Sequence, residues 1–335
     1  MRNIILICVA SAICLTSWSQ PNRLPAGCHH THQHRRVPAM TEEQRVLMNQ
    51  SIARSDTFDI ASYRIDIDVT DYIGQSIQAS TTIAFSALME NQQLVRFDLY
   101  QLVVDSVLDA NNQALPFNHD GEILAVYFPA ALPIQEMQTI RVFYHGDPHR
   151  DPTWGGFYFE SGYIYNLGIG LTTIPPNFGK VWYPCFDSFV ERATYEYHVK
   201  SAGAYRAHCQ GTFLGETALQ GDTVIRSFAF TQPITTHQSA IAVADYQDYD
   251  YVYDGAFGNT DVRLTAKPAQ LGTFTGVMQH LGSAIDACEY WYGPHAWERV
   301  GYVLTTDGAL EIPTNIAYPQ SMITASLSAN DKLLA

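Results

Sequence analysis

At 335 residues, with 47% apolar and 12% aromatic side chains, the chain is long enough for about two domains and apolar enough to bury a core in each. Its 19 Lys and Arg against 33 Asp and Glu leave a formal net charge of -14. Such an excess of negative charge repels phosphate backbones and anionic membrane surfaces, which excludes nucleic acid as a partner class.

The N-terminus reads Met1-Arg2-Asn3, then an apolar run from Ile4 to Leu15, then Ser17-Trp18-Ser19 before Gln20. Small residues at that spacing predict a cleaved secretory signal over 1–19 and a secreted or periplasmic protein. The apolar stretch Ile4 to Trp18 is shorter than the ~20 residues a span needs, so no stable membrane span is expected after cleavage. Residues 20–57 read as a His/Pro-rich leader followed by a short helix, which Thr41 is placed to cap and which runs to about Arg54. The leader contains Cys28-His29-His30-Thr31-His32-Gln33-His34, but no partner pair follows at finger-like spacing, so it is read as a solvated tail. Once the signal is removed, Cys28, Cys185, Cys209 and Cys288 remain. Four cysteines allow three full pairings and the sequence selects none; apolar neighbours around the last three make buried thiols at least as good a reading as bridges.

From Tyr63-Arg64-Ile65-Asp66-Ile67-Asp68-Val69 onward, apolar and polar residues alternate as in strands buried on one face. Ile77 to Phe85, Val95-Phe97-Leu99, Ile140-Val142-Tyr144, Val224 to Phe230 and Ser239 to Tyr246 continue the pattern, with turns at Asn111-Asn112 and Asp120-Gly121. The region 58–255 is therefore expected to be an all-β domain of short strands in packed sheets, a sandwich-like arrangement. Within it, His145 and His149 stand four apart, but Gly146 and Pro148 between them break the helix that would bring them to one metal. Aromatics around Pro184 in Lys180 to Asp187 read as a packed corner whose Asp187 ties down backbone donors. After Asp254-Gly255 the period changes: Leu271, Phe274, Val277, Met278, Leu281, Ile285 and Cys288 form one helical stripe from Pro268 to Gly293-Pro294. A strand from Val300 to Leu304 follows, then an Asp307-Gly308 turn, and Glu311 stands between Leu310 and Ile312.

The stretch Gly308-Ala309-Leu310-Glu311-Ile312 resembles the Gly-Ala-Met-Glu-Asn motif of the M1 zinc aminopeptidases, with Leu310 in place of Met and Ile312 in place of Asn. Lys180 to Asp187 and the following Ala193 to Val199 resemble the Phe-Pro-Cys-Phe-Asp segment and the next strand of the same family, in the same order. The resemblance implies a mainly β chain: a multi-sheet N-terminal domain over 58–255, followed over 256–335 by the start of a thermolysin-like α/β catalytic domain. By the same resemblance Gly308, Ala309, Leu310 and Glu311 are substrate-binding, the backbone pairing with the peptide and Glu311 taking its free α-ammonium. The family's upstream Gln has no counterpart in Thr172 to Asn177. The zinc motif, His-Glu-x-x-His, would fall beyond Ala335, so no catalytic residue or metal ligand is expected within the chain, which would itself be inactive. The implied function is the N-terminal portion of a secreted zinc aminopeptidase acting on peptides with free N-termini. The competing readings are a non-catalytic M1-like interaction module and a secreted β-sandwich binding protein.

Overall fold

The computed structural model describes residues 40–326 and 328. The expected signal, the His-rich leader with Cys28 to His34, and the segment Asp331 to Ala335 lie outside the described residues. The first helix, α1 (Glu42–Ala53), is capped at Thr41, as its sequence implies. The Thr41 hydroxyl accepts the Gln44 N–H at 3.2 Å, and the Gln44 side-chain oxygen accepts the Thr41 N–H at 2.9 Å, a reciprocal capping box.

The largest sheet has seven strands: β1 (Phe58–Asp71), β2 (Ser76–Ala87), β4 (Val103–Asp109), β7 (Met137–Gly146), β10 (Ala193–Ala202), β12 (Thr212–Ala218) and β13 (Thr223–Ile234). Their order is β12-β13-β10-β1-β2-β7-β4, antiparallel throughout except for β1 beside β10. Alternation decides its faces: Tyr63, Ile65, Ile67 and Val69 are buried, while Arg64, Asp66 and Asp68 line the outer side. Two smaller sheets cover the apolar face. One is β3 (Leu94–Asp98), β6 (Ile123–Tyr127) and β5 (Phe117–His119); the other has the order β11 (Arg206–Cys209), β14 (Ile241–Ala244), β9 (Tyr163–Gly170) and β8 (Gly155–Glu160). The core between these sheets contains Phe85, Phe97, Trp182, Tyr183 and Tyr197, each worth about 1.5–3 kcal/mol or more on burial.

The sheet β11-β14-β9-β8 is a central layer, buried on both faces. Tyr163 to Gly170 is accordingly buried at nearly every position, and Ile241 to Ala244, expected from the sequence to alternate, is instead buried at all four because both faces of its strand are covered. One face joins the first core, and the other meets a fourth sheet of order β15 (Gln247–Gly255), β16 (Gly258–Ala266), β17 (Val300–Thr305) and β18 (Ile316–Pro319). Tyr158, Tyr165, Leu167 and Ala242 on the central layer pack against Val303, Leu310, Ile312 and Ala317. On the far side of the fourth sheet, Val262, Leu264, Leu304 and Tyr318 pack beneath α2 (Pro268–Val277), α3 (Leu281–Tyr292) and α4 (Gln320–Thr324). The architecture is mainly β with several sheets and agrees with the fold class expected from the sequence. No helix among the described residues is long and apolar enough to cross a membrane.

Three expectations change. The stripe from Leu271 to Cys288 is two helices, because the chain turns at 278–280, where the Leu281 N–H reaches back to Met278 O. On α3 the buried line runs Leu281, Ile285, Glu289; Cys288 falls beside it and is exposed, whereas Cys185 and Cys209 are buried free thiols. The boundary expected between 58–255 and 256–335 falls inside a hairpin: β15 pairs along its whole length with β16, so 247–255 belongs to the fourth sheet with the chain that follows.

The apolar faces of the C-terminal part are largely covered from within the described residues; its exposed aromatics include Tyr290, Trp291 and Tyr292 at the end of α3, and Tyr249 and Phe257. Its stability is accordingly expected to depend on the core beneath the helices. Leu304→Ala should lower the unfolding free energy by about 2–5 kcal/mol. Val252→Ala, 59% exposed on the same sheet, should change it by no more than about 0.5 kcal/mol. Urea titration of both variants checks this.

Candidate functional site

The segment after β17 doubles back and runs along the outer side of β18. Leu310 and Ala317 form an antiparallel bridge, with Leu310 N–H to Ala317 O at 3.3 Å and Ala317 N–H to Leu310 O at 3.2 Å. Both Leu310 bonds therefore face β18. Neither the Ala309 nor the Glu311 N–H is hydrogen-bonded among the described residues. Side chains alternate with the backbone: Leu310 and Ile312 point into the core against the central layer, and Glu311 is exposed between them. Its carboxylate makes no hydrogen bond or ion pair with the described residues. Gly308 is buried, and a Cβ there would come within 2.9 Å of Pro319 Cδ and 3.0 Å of Ala317 O, so the close approach to β18 requires glycine. The Gly308–Ala309 peptide is cis.

The loop is held from the β layers beneath it. Trp154, buried just before β8, donates its indole N–H to Gly308 O at 2.8 Å. The Tyr165 hydroxyl accepts the Asp307 N–H at 2.9 Å and pairs with the Thr306 hydroxyl at 2.8 Å. Tyr158 stacks on Tyr165 with centroids 4.5 Å apart, and the Arg150 guanidinium lies 4.3 Å over the Tyr158 ring. Asp151 fixes this support in turn: its carboxylate accepts the N–H groups of Thr153, Trp154 and Thr172 and the Thr172 hydroxyl. Burial opposes the charge on Asp151, but the bonds from Thr172 and from the Trp154 and Thr153 N–H groups outweigh it and hold the carboxyl below the usual range. Burial pushes the neighbouring Asp307 carboxyl up, against the Gly308 N–H and the Arg150 charge.

The far end of the loop is tied to the β11–β12 connection. Thr314, in the left-handed region at φ 62°, accepts the Gly211 N–H at 2.8 Å. Asn315 donates to His208 O at 3.2 Å, and Arg299 donates to Gly211 O at 2.7 Å. His208 is buried, with Asp248 3.3 Å from Nδ1 and Arg226 3.0 Å from Nε2. Burial first, and then the Arg226 charge, push His208 well below the usual imidazole range. It is therefore neutral in the fold, with Nδ1–H toward Asp248 and Nε2 accepting from Arg226.

The four residues singled out from the sequence, Gly308, Ala309, Leu310 and Glu311, thus lie together on one edge. Leu310 is a packing residue, and Glu311 is the group that faces outward. Ile312 is 2% exposed and fills the core. The stretch Thr172 to Asn177 contributes through Thr172, which braces Asp151. Asp187 is buried and accepts the Thr236 hydroxyl at 2.7 Å and the Lys180 N–H at 3.2 Å, the backbone-tying role expected of it. His145 pairs with Asp105, while His149 lies between Tyr100 and Phe178. Sequence reasoning missed Trp154, Tyr165, Asp151 and His208. The one trace of the first two is the density of aromatics from Trp154 to Tyr165. A separate row on the outer face of the large sheet joins Glu196, His198 and Ser227, with His198 2.5 Å from Glu196 and 2.8 Å from Ser227. Ser227 sits in a strand paired on both sides, so its backbone N–H is committed to the ladder and the row reads as a cross-strand polar network.

Two outcomes follow from these supports. Trp154→Phe removes the donor to a buried carbonyl, and should lower stability by about 1–3 kcal/mol and speed amide exchange at Leu310; unchanged exchange there would contradict the support role. Because His208 is neutral in the fold and takes up a proton on unfolding below about pH 6.5, its contribution is present above that pH and lost as pH falls. His208→Gln should therefore lose less stability than the parent between pH 7 and pH 5, by up to about 2 kcal/mol in urea titrations.

No protein-family model and no curated protein sequence matches the chain. Solved structures do match. An M1 zinc metallopeptidase mutant from Deinococcus radiodurans bound to a Tyr-Ser-Ala substrate superposes with a TM-score of 0.70 at 19% identity, over 80% of this chain and 62% of that one. A two-domain M1 zinc metallopeptidase mutant bound to L-tryptophan gives 0.70 at 18% identity over 81% and 62%. The unmutated Deinococcus radiodurans enzyme gives 0.66 at 20% identity over 81% and 62%. The chain spans about three-fifths of the length of these structures, and over most of its own length it has the fold of the M1 zinc metallopeptidases.

Proposed function

We propose that the chain is the N-terminal portion of an exported, zinc-dependent M1-type aminopeptidase, and that Glu311 binds the α-ammonium of the peptide substrate. The observation that carries this reading is the setting of Glu311: exposed and, among the described residues, unpaired, between two buried neighbours, on an edge whose adjacent N–H groups are also unbonded there. The fold it shares with metallopeptidases, one of them bound to a Tyr-Ser-Ala substrate, gives that edge a peptide as its natural partner.

A carboxylate about 4 Å from an ammonium contributes up to about 4 kcal/mol at an effective dielectric near 20. An acetylated terminus offers no charge in return, so the pair selects free N-termini. Ala309 and Glu311 would add backbone pairing to an extended peptide, as edge strands do. The loop is suited to this because both ends are fixed, by Trp154 and Tyr165 on one side and by the Gly211 and His208 contacts on the other. A fixed carboxylate loses little freedom on binding.

Among the described residues no three His, Cys, Asp or Glu side chains converge to hold a metal ion. The zinc of this reading would need ligands outside them, and what the described residues supply is recognition of the substrate's first residue. The test is Glu311→Gln in the extended protein, which keeps the shape and removes the charge. Activity, as kcat/KM on free-amine substrates, should fall about 10- to 160-fold, the equivalent of about 1.5–3 kcal/mol for a hydrogen bond to a charged group. Activity within twofold of the parent would assign the ammonium to another residue.

A further inference from the structure

A concavity lies away from the 308–311 edge, between β15 and the turn that joins α2 to α3. It encloses about 380 Å³, within the size range of small-molecule sites (about 300–1,000 Å³). Its wall is the alternation Tyr249, Tyr251, Tyr253 on β15, the outermost strand of the fourth sheet. Opposite stand Thr275, Gln279 and Ser283, and Leu264 and Met278 form the floor. Among the described residues no acid or base lines it.

The wall is built rather than incidental. Tyr253 is pinned: its hydroxyl donates to Asp286 at 2.6 Å, and its ring lies so close to α3 that a Cβ at Gly282 would come within 2.2 Å of it. The same carboxylate also accepts the Ala256 N–H, so its charge is engaged away from the cleft. Tyr249 and Tyr251 continue the wall, with ring centroids 5.7 Å apart and planes inclined by 47°. Tyr249 is 48% exposed. The Gln279 amide, the Ser283 hydroxyl and the hydroxyls of Tyr249 and Tyr251 have no hydrogen-bond partner among the described residues, and Thr275, which donates to Gly272 O, keeps its acceptor capacity.

Aromatic faces, unengaged hydroxyls and an amide, with no charge, suit a neutral ligand that combines apolar faces with hydroxyls around its rim. The C–H faces of a pyranose stack on aromatic rings, and its hydroxyls need neutral donors and acceptors in several directions. An ionic ligand would find no counter-charge in this lining, and the chain's overall charge disfavours anions. A purely apolar ligand would leave the amide and hydroxyls unsatisfied. We propose that this cleft is a binding site for a neutral saccharide, independent of Glu311.

The test uses the purified protein, calorimetry with cellohexaose, xylohexaose, laminarihexaose and mannohexaose, and an oligogalacturonate as the acidic counterpart. At least one neutral hexasaccharide should bind, and Tyr249→Ala and Gln279→Ala should each weaken it about tenfold or more while leaving the circular dichroism spectrum unchanged. Both side chains are exposed, so neither substitution opens the core. Absence of binding by all four neutral sugars, binding of the oligogalacturonate alone, or equal binding by parent and both variants would overturn the proposal. None of these outcomes depends on peptidase activity.

Discussion

The packing of Leu310 and Ile312 onto the central β layer, with the Trp154 indole bonded to Gly308 O above it, is the constraint on which the rest of the candidate site depends. These two apolar side chains enter the same core as Tyr158, Tyr165 and Leu167, so the residue between them has one direction left, outward. The exposure of Glu311 is thus fixed by burial on either side of it rather than by any contact of its own. If the loop instead rested on the fourth sheet alone, one antiparallel bridge at Leu310 and Ala317 would have to hold it. The central layer, buried on both faces, makes the loop's position a property of the whole β assembly.

Electrostatics complete the arrangement in an unusual place. Two ionisable groups in this support are buried and partnered: Asp151 by N–H donors and the Thr172 hydroxyl, and His208 by Asp248 and Arg226, the latter also beside Glu216. Partially desolvated pairs of this kind confer geometry more than net stability, because the cost of removing charge from water offsets much of the attraction. Glu311 has no such partner among the described residues. Under the proposed function, this open carboxylate is the one the substrate's α-ammonium would meet.

Much of the fold is legible in the sequence where burial is one-sided. Tyr63 to Val69 and Val224 to Phe230 alternate because one face of their sheet is wet, and both are strands. The same logic exposes Glu311 between Leu310 and Ile312. Legibility falls where burial is two-sided or contacts are distant. The central layer keeps no alternation of burial, so its place between two cores cannot be read from Tyr163 to Gly170 or Ile241 to Ala244. The stripe from Leu271 to Cys288 reads as one helix because the turn at 278–280 leaves the apolar spacing intact, and only Cys288 shows the resulting shift. Trp154 and Tyr165 lie 154 and 142 residues from the backbone groups they hold, and no local pattern links them. Nor does the strand Gln247–Gly255 announce that its partner is the strand after it rather than the sheets before it.

The central claim is that a carboxylate displayed by packing receives the amino terminus of a peptide. A structure of the extended protein with a free-amine tripeptide bound tests it most directly. The account predicts a Glu311 carboxylate oxygen about 2.7–2.9 Å from the α-ammonium, the length of a charge-assisted bond, with Leu310 and Ile312 still buried. An α-ammonium held by a different acid, with Glu311 facing bulk water, would contradict it.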